Sequence, residues 1–254
     1  QNMFHKIESK LTLPVYAGLG NMHSSSTAMA IAPLGIINAC NPRRAAMEAY
    51  DVAGLIHAGD STFCRDGACV IAAAVAEAMS ADATVDSVLE ASYRYLHRDS
   101  SVEMLQRIRE TLEMVKEYPS YERFREEYYR TSLGDIVSDS RETVPCVLAI
   151  VLLSNGDPVR AIEMSANFGR DADTIGTMAG AICGAFRGVN FLKPEWVEQI
   201  EKSCGTVQQN SKGIAMDAKM PDQKKLAEDL IHVMQSKAEE EKISLKRLET
   251  LENQ

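Results

Sequence analysis

The sequence lacks strict alternation of apolar and polar residues, the period of two that marks a half-buried β-strand. It also lacks an apolar run near the ~20 residues that a helix needs to span a bilayer. No charged segment followed by an apolar one opens the chain, as it would in a secretory leader. These absences predict an all-α protein with essentially no sheet and no membrane partner, and we expect it in the cytoplasm.

Cysteine pairs and basic charge are also scarce. The six cysteines, at positions 40, 64, 69, 146, 183 and 204, form no Cys-x-x-Cys pair. This argues against zinc and a disulfide framework, and favours free thiols in a reducing compartment. The 27 Lys and Arg residues are outnumbered by 36 Asp and Glu, so the net charge is −9. A nucleic-acid partner is therefore not expected, and a phosphate-bearing ligand would need local help from a metal ion or from backbone N–H groups.

Helical periodicity accounts for most of the chain. An Ala-rich segment over 66–79 is apolar nearly all round, which predicts the central helix of the fold. Before it, helices are predicted over 28–40 and 42–58. Thr84 and Ser101 are predicted to open the next two helices. The remaining helices are predicted over 85–96, 101–116, 121–130, 143–153 and 223–251, with others starting near residues 158 and 194.

One stretch combines acidic residues with a small-residue apolar run. Asp171, Asp173 and Thr174 lie within four residues just after a glycine. Carboxylate and hydroxyl oxygens are the ligands that hard divalent cations prefer, so a metal-binding loop feeding a buried helix fits this pattern. A purely structural pair also fits: an Asp N-cap and a second acid in the first turn both favour the helix dipole without any metal. The spacing leaves both interpretations open.

Three glycines, Gly176, Gly180 and Gly184, recur at intervals of four residues behind this acidic cluster. In an exposed helix each glycine would cost about 1 kcal/mol relative to alanine. We therefore expect another helix to approach this face closely, so that a methyl group at position 180 or 184 would destabilise the protein.

The stretch Asn167–Gly188 resembles the C-terminal signature of the ADP-ribosylglycohydrolase family, whose pattern is Gly-Gly-Asp-x-Asp-Thr-Ile followed by small residues. Arg170 stands where a second glycine is commoner. Three further segments fall in the family's order: Ala28–Gly35, His57 and Glu142-Thr-Val-Pro145. Agreement of four separated motifs in sequence order makes the resemblance specific.

This resemblance implies an all-α, single-domain orthogonal helical bundle. It further implies a metal-dependent hydrolase of a glycosidic bond at ribose C1, acting on an ADP-ribosylated protein or on a small ADP-ribosyl or nucleoside-type substrate. Asp171 and Asp173 are implied as catalytic residues and, with Thr174, as ligands of Mg²⁺, with Mn²⁺ also accepted and two ions in a complete site. The residues implied to bind substrate are Gly20, Asn21, Ser24, Ser25, Met29, His57, Gly169 and Arg170.

Two of the family's motifs have no counterpart here, a Glu-containing motif and a Thr-Asp-Asp run, which supply its other metal ligands. Residues 1–17 contain no Asp, and we expect them to be a tail or the remnant of a missing N-terminal segment. The helical domain is expected over 18–205, and a surface loop with a helical extension over 206–254.

Several hypotheses about function follow from this incomplete set of ligands. Either the chain is an enzyme whose remaining ligands lie elsewhere, or it is a catalytically silent ADP-ribose-binding or structural relative. A nucleoside-type glycosidase with no preference for the diphosphate is a third hypothesis. Outside the resemblance, His57 also fits a structural residue favoured by a helix C-terminus, and the loop over 18–27 fits an ordinary serine-rich turn.

Overall fold

The computed structural model describes residues 2–59, 62–203 and 223–252. Within these ranges the chain forms thirteen α-helices and no strand, which confirms the predicted all-α fold. The helices are α1 (Asn2–Glu8), α2 (Ser26–Ala30), α3 (Ala32–Ile37), α4 (Pro42–Ala53), α5 (Thr62–Ala78), α6 (Val85–Arg94), α7 (Val102–Glu117), α8 (Tyr121–Thr131), α9 (Ser140–Leu153), α10 (Pro158–Phe168), α11 (Ala172–Arg187), α12 (Pro194–Ser203) and α13 (Gln223–Glu252). Two 3₁₀ turns cover Pro14–Tyr16 and Val189–Phe191.

The chain divides into two compact units, Gln1–Phe191 and Leu192–Gln254. The first unit contains α1 through α11, and the second contains α12 and α13. The domain boundary predicted at residue 205 and the surface loop predicted after it lie outside the described residues, so the domain limits stay a prediction. None of the helices in the described ranges is both long and apolar enough to cross a membrane.

Helix α5 is the buried centre of the first unit, as the sequence predicts. Every residue from Asp66 to Ala76 is buried, and α5 packs against α2, α3, α4, α6, α7, α9 and α11. Seven neighbours leave little room for side chains, which explains why six of its residues are alanine. One neighbour comes very near at Gly35 of α3, where an added Cβ would lie 2.6 Å from the Cβ of Val75.

The prediction of one helix over 28–40 is wrong, because the chain forms two short helices there. Helices α2 and α3 meet at Ile31, which ends one and precedes the other. Pro33 explains the break: it has no N–H to donate to the carbonyl of Met29, and its ring clashes with that carbonyl in a continuous helix. The result is a break between two short helices at Ile31.

Helix α4 is shorter than the prediction over 42–58, because it ends at Ala53. Leu55 and Ile56 then donate their backbone N–H groups to carbonyls three residues earlier, at 3.1 Å each. Such 3₁₀-type bonds tighten the chain into turns beyond a helix end. His57, which is itself buried, therefore lies after these turns and not in the last helical residues of α4.

Helix α1 lies where the sequence predicts a tail. Its seven residues, Asn2–Glu8, are too few to show a helical pattern in the sequence. The cap predicted at Thr84 is confirmed, since Thr84 and Ser87 form a reciprocal capping box. Ser101 does precede α7, but its hydroxyl donates to Asp66 and makes no cap bond.

The prediction of a close helix contact at the α11 glycines is wrong, although α11 itself is buried along one side. A Cβ on Gly180 would lie 3.6 Å from Cγ1 of Ile162 in α10, an ordinary van der Waals distance. A Cβ on Gly184 would have nothing within 4 Å. The Ile162 side chain separates the two helices at Gly180, so α11 has room for a methyl group there.

Replacing these glycines should now stabilise the protein. Gly180→Ala and Gly184→Ala should each raise the free energy of unfolding by up to about 1 kcal/mol through helix propensity. Gly35→Ala is the matched control, and it should lower that free energy by about 1–3 kcal/mol because its methyl group would overlap α5. Denaturant melts measure all three variants. Destabilisation by Gly184→Ala would show a contact that the structure does not contain.

Candidate functional site

Two segments far apart in sequence meet at the N-terminus of α11. The loop before α2 carries Ser25, whose Oγ donates to Oδ2 of Asp171 at 3.3 Å across 146 positions of sequence. One turn further, Oγ1 of Thr174 donates to Sδ of Met29 at 3.5 Å. Both contacts form because α2 and α11 pack against α5 and against each other. The structure thus joins four of the residues that the family resemblance singles out.

Asp171 is partly shielded from water, whereas Asp173 is exposed. Burial raises the pKa of the Asp171 carboxyl, and the hydroxyls of Thr174 and Ser25 act against this rise while the Asp173 charge adds to it. No Lys or Arg in the described ranges forms an ion pair with Asp171. The first turn of α11 therefore concentrates negative charge without a basic partner, an environment that a divalent cation would stabilise.

The described residues supply only part of a coordination shell. No group of three or more His, Cys, Asp or Glu side chains within them is arranged to hold a metal ion. Asp171, Asp173 and Thr174 have the oxygen chemistry that suits Mg²⁺, but Mg²⁺ takes six oxygen ligands. Their donor set fits one side of such an ion.

His57 contacts the segment 18–26, which we call the serine loop and which ends in the first residue of α2. Its ring is 1% exposed, and Nε2 stands 3.3 Å from Oγ of Ser26, which in turn accepts from Oγ of Ser24 at 2.9 Å. Nδ1 is buried with no hydrogen-bond partner in the described part of the chain. Burial is the larger cause that lowers the pKa of His57, and nearby His23 adds to it. A neutral imidazole therefore packs against the serine loop and contacts it through Ser26.

Other predicted loop residues hold the serine loop in place. Gly20 has φ of +83°, a left-handed conformation that favours glycine. Nδ2 of Asn21 donates to the carbonyl of Ile56 at 2.7 Å, and Oγ of Ser140 donates to the carbonyl of Ser24 at 3.0 Å. The loop is thus tied both to the turn after α4 and to the start of α9.

Arg170, predicted to bind substrate, instead has its guanidinium engaged by protein groups. Nε and Nη2 each donate to a different carboxylate oxygen of Glu142 at 2.8 Å, and Nη2 also donates to the carbonyl of Gly134 at 2.6 Å. The carboxylate of Glu142 also accepts from the backbone N–H of Gly134 at 2.8 Å. We call these three residues the Glu142 clamp. It joins the loop after α8, the first turn of α9 and the loop before α11.

The backbone around the Glu142 clamp is unusual at two consecutive residues. Gly169 has φ of +83° and Arg170 has φ of +57°. An added Cβ on Gly169 would lie 2.6 Å from the hydroxyl oxygen of Tyr129, so glycine is required there. Tyr129 and Arg125 both donate to the carbonyl of Phe168, which fixes the end of α10. The loop is therefore held on both sides of the left-handed pair.

Sequence reasoning missed the Glu142 clamp. Glu142 was recognised only as part of a motif, and its pairing with a residue 28 positions away has no local signature. The one available signal was the charge of Arg170 where the family more often has glycine. Any residue with a side chain is strained at this left-handed φ, and the ion pair of Arg170 with the buried Glu142 offsets that strain.

Comparison with known proteins identifies the family to which this fold belongs. A model of the ADP-ribosylglycohydrolase family matches residues 2–240. The chain belongs to the ADP-ribosylglycohydrolase family, which confirms the resemblance. It is also similar to the uncharacterized protein YegU of Escherichia coli strain K12, with 34% identity over 196 residues that cover 71% of this chain. The chain spans about half of that relative, 55% of its length.

Arg170→Gly tests the Glu142 clamp, because two effects of opposite sign compete. Glycine relieves the backbone strain of the left-handed φ at position 170, which costs about 1 kcal/mol. It also removes the partner of a carboxylate that is 3% exposed, a loss of about 3 kcal/mol or more for a buried ion pair. The variant should therefore be destabilised by about 2 kcal/mol in denaturant melts.

Arg123→Ala is the control for this change, since its ion pair with Glu126 is exposed. It should change stability by less than about 1 kcal/mol. An Arg170→Gly variant as stable as the parent would mean that the Glu142 clamp does not hold the loop.

The buried His57 predicts a specific loss of stability in acid. Its pKa is lowered from 6.5 in the folded protein, so below pH 6.5 the unfolded chain binds a proton that the folded chain does not. The free energy of unfolding should therefore fall as the pH drops below 6.5. Above pH 6.5 the neutral His57 causes no such loss. Melting curves of the parent and of His57→Asn between pH 7.5 and 5 should diverge, with the parent losing more. Parallel curves would contradict a buried neutral His57.

Proposed function

We propose that this protein is a metal-dependent hydrolase that cleaves a glycosidic bond at ribose C1 of an ADP-ribosyl substrate. The observation that carries the proposal is the contact between Ser25 and Asp171. It sets a hydroxyl-rich loop beside the acidic first turn of α11, so that groups for a polar ligand and for a cation lie side by side. Membership of the ADP-ribosylglycohydrolase family supports the substrate class.

Asp171, Asp173 and Thr174 would hold Mg²⁺, with Mn²⁺ also accepted. When bound, such an ion orients ribose hydroxyls and activates water, so no covalent nucleophile is required of the protein. Ser25 fixes Oδ2 of Asp171, and the Glu142 clamp fixes the backbone just before it. Further oxygen ligands would come from water, from substrate or from a part of the protein outside the described residues.

The serine loop is proposed to bind the diphosphate or the ribose next to it. Ser24 and Ser26 form a row of hydroxyls that continues to His57. Because the net charge of the chain is −9, attraction of a doubly phosphorylated ligand must come from this loop and from the cation. An ADP-ribosylated protein and a small ADP-ribosyl compound both present this group.

A catalytically silent ADP-ribose-binding protein is the second candidate. The observation that favours it is the short ligand set, since within the described residues the acidic first turn of α11 recruits no third His, Cys, Asp or Glu. Binding alone needs fewer ligands than hydrolysis does. The two candidates use the same proposed ligand-binding residues and differ only in turnover.

Calorimetric titration of Mg²⁺ into metal-stripped protein tests the acidic site. We expect binding heat that is lost when Asp171→Asn and Asp173→Asn are combined, because two of the proposed oxygen ligands then lose their charge. The matched control combines Asp82→Asn with Asp99→Asn, two exposed residues. Equal heats from the two double variants would reject Asp171 and Asp173 as ligands.

Enzyme and silent binder are separated by comparing stabilisation with turnover. ADP-ribose at 100 times its dissociation constant should stabilise the folded protein by about 2.7 kcal/mol in either case. Release of free ADP-ribose from an arginine-linked or O-acetyl conjugate in the presence of Mg²⁺ would establish the hydrolase. Stabilisation without release would select the silent binder. The absence of both stabilisation and release would reject the ADP-ribosyl substrate class.

A further inference from the structure

One cavity of the first unit lies away from the serine loop and shares no residue with the candidate site. Its volume is about 380 Å³, and it lies among α4, the start of α5 and the segment between α6 and α7. The residues that give it its chemistry are Tyr50, Asp51, Asp66, Tyr95 and His97. Ligand cavities of a few hundred Å³ hold small molecules, so the size suits a compound of limited length.

Asp66 is the unusual member of this cavity. It belongs to the central helix α5 and is 3% exposed. Its Oδ1 accepts from Oγ of Ser101 at 2.9 Å, whereas no described residue donates to its Oδ2. A buried carboxylate with one free oxygen beside a cavity is costly unless a ligand pairs with it.

The neighbouring Arg65 does not pair with Asp66. Its guanidinium stacks on the ring of Tyr50, 3.7 Å from the centroid, and its Nε donates to the carbonyl of Tyr50 at 3.0 Å. Burial raises the pKa of Asp66 to about 6, although Ser101 and Arg65 both act to lower it. Desolvation therefore outweighs both groups, and the carboxylate is ionised but undercompensated above pH 7.

The walls of the cavity select the sign of the ligand. Asp51 adds a second carboxylate, so an anion would be repelled and a neutral ligand would leave the charge of Asp66 uncompensated. Aromatic rings attract cations over their faces, and Tyr50 already receives one guanidinium. Tyr95 provides a further ring in the lining of the cavity.

We propose that this cavity binds a small organic cation bearing a guanidinium or primary ammonium group, with Oδ2 of Asp66 accepting its N–H. The rings of Tyr50 and Tyr95 would contact the apolar part of the ligand. Met47, which is 60% exposed, lies at the same cavity. Binding here is independent of the metal and substrate proposed for α11.

The test uses butylguanidinium as the probe and butylurea as its neutral isostere, both titrated calorimetrically into the whole chain at pH 8. Butylguanidinium should bind at millimolar concentration, and butylurea should bind at least tenfold more weakly. Asp66→Asn keeps the shape of the side chain and removes a buried charge, so it should fold and should weaken butylguanidinium binding at least tenfold. Asp82→Asn makes the same chemical change at an exposed site and should leave it unchanged.

Met47→Trp provides a second variant that does not alter the carboxylate. The larger side chain should obstruct the cavity and weaken butylguanidinium binding while Mg²⁺ binding stays as in the parent. The proposal is overturned if the parent binds neither compound, if butylurea binds as well as butylguanidinium, or if Asp66→Asn binds as the parent does.

Discussion

The burial of α5 on all sides is the constraint on which the rest of the first unit depends. A helix surrounded by seven others must carry small side chains, and its alanines let those neighbours approach it closely. Helices α2 and α11 are both held against it. The distance between Ser25 and Asp171 is therefore set by packing against a third element, and not by any local feature of either segment.

Polar contacts at the edge of this core then fix the two loops more finely. The serine loop rests on neutral His57 and is tied to Ile56 and Ser140. The loop before α11 is held by the Glu142 clamp, where a buried carboxylate offsets the left-handed backbone of Arg170. Rigid loops on a packed core provide the preorganisation that a binding site for a cation and a polar ligand requires.

The sequence predicted the parts of this fold that have a local physical signature. The apolar run of α5, the capping box at Thr84 and the all-α class were all readable from periodicity and capping chemistry. The break at Pro33 was also readable from the sequence, and the prediction of one helix over 28–40 gave too little weight to the missing N–H.

Other features depend on three-dimensional contacts that no local pattern records. The spacing of Gly180 and Gly184 predicted a close helix contact, but the Ile162 side chain faces Gly180 at an ordinary distance and nothing lies near Gly184. The partner of Arg170 lies in another motif, and the burial of His57 follows from the turn that ends α4. Family resemblance grouped the candidate site residues, while the geometry that joins Ser25 to Asp171 required the structure.

The account depends on a cation held at the first turn of α11, directly beside the serine loop that would bind the substrate. Paramagnetic broadening of backbone amide resonances by substoichiometric Mn²⁺ tests it most directly. The account predicts that the amides of Ser25, Asp173 and Thr174 broaden first and together. Broadening that begins instead at the exposed acids of α7, such as Glu110 and Glu113, with the serine loop unaffected, would contradict it.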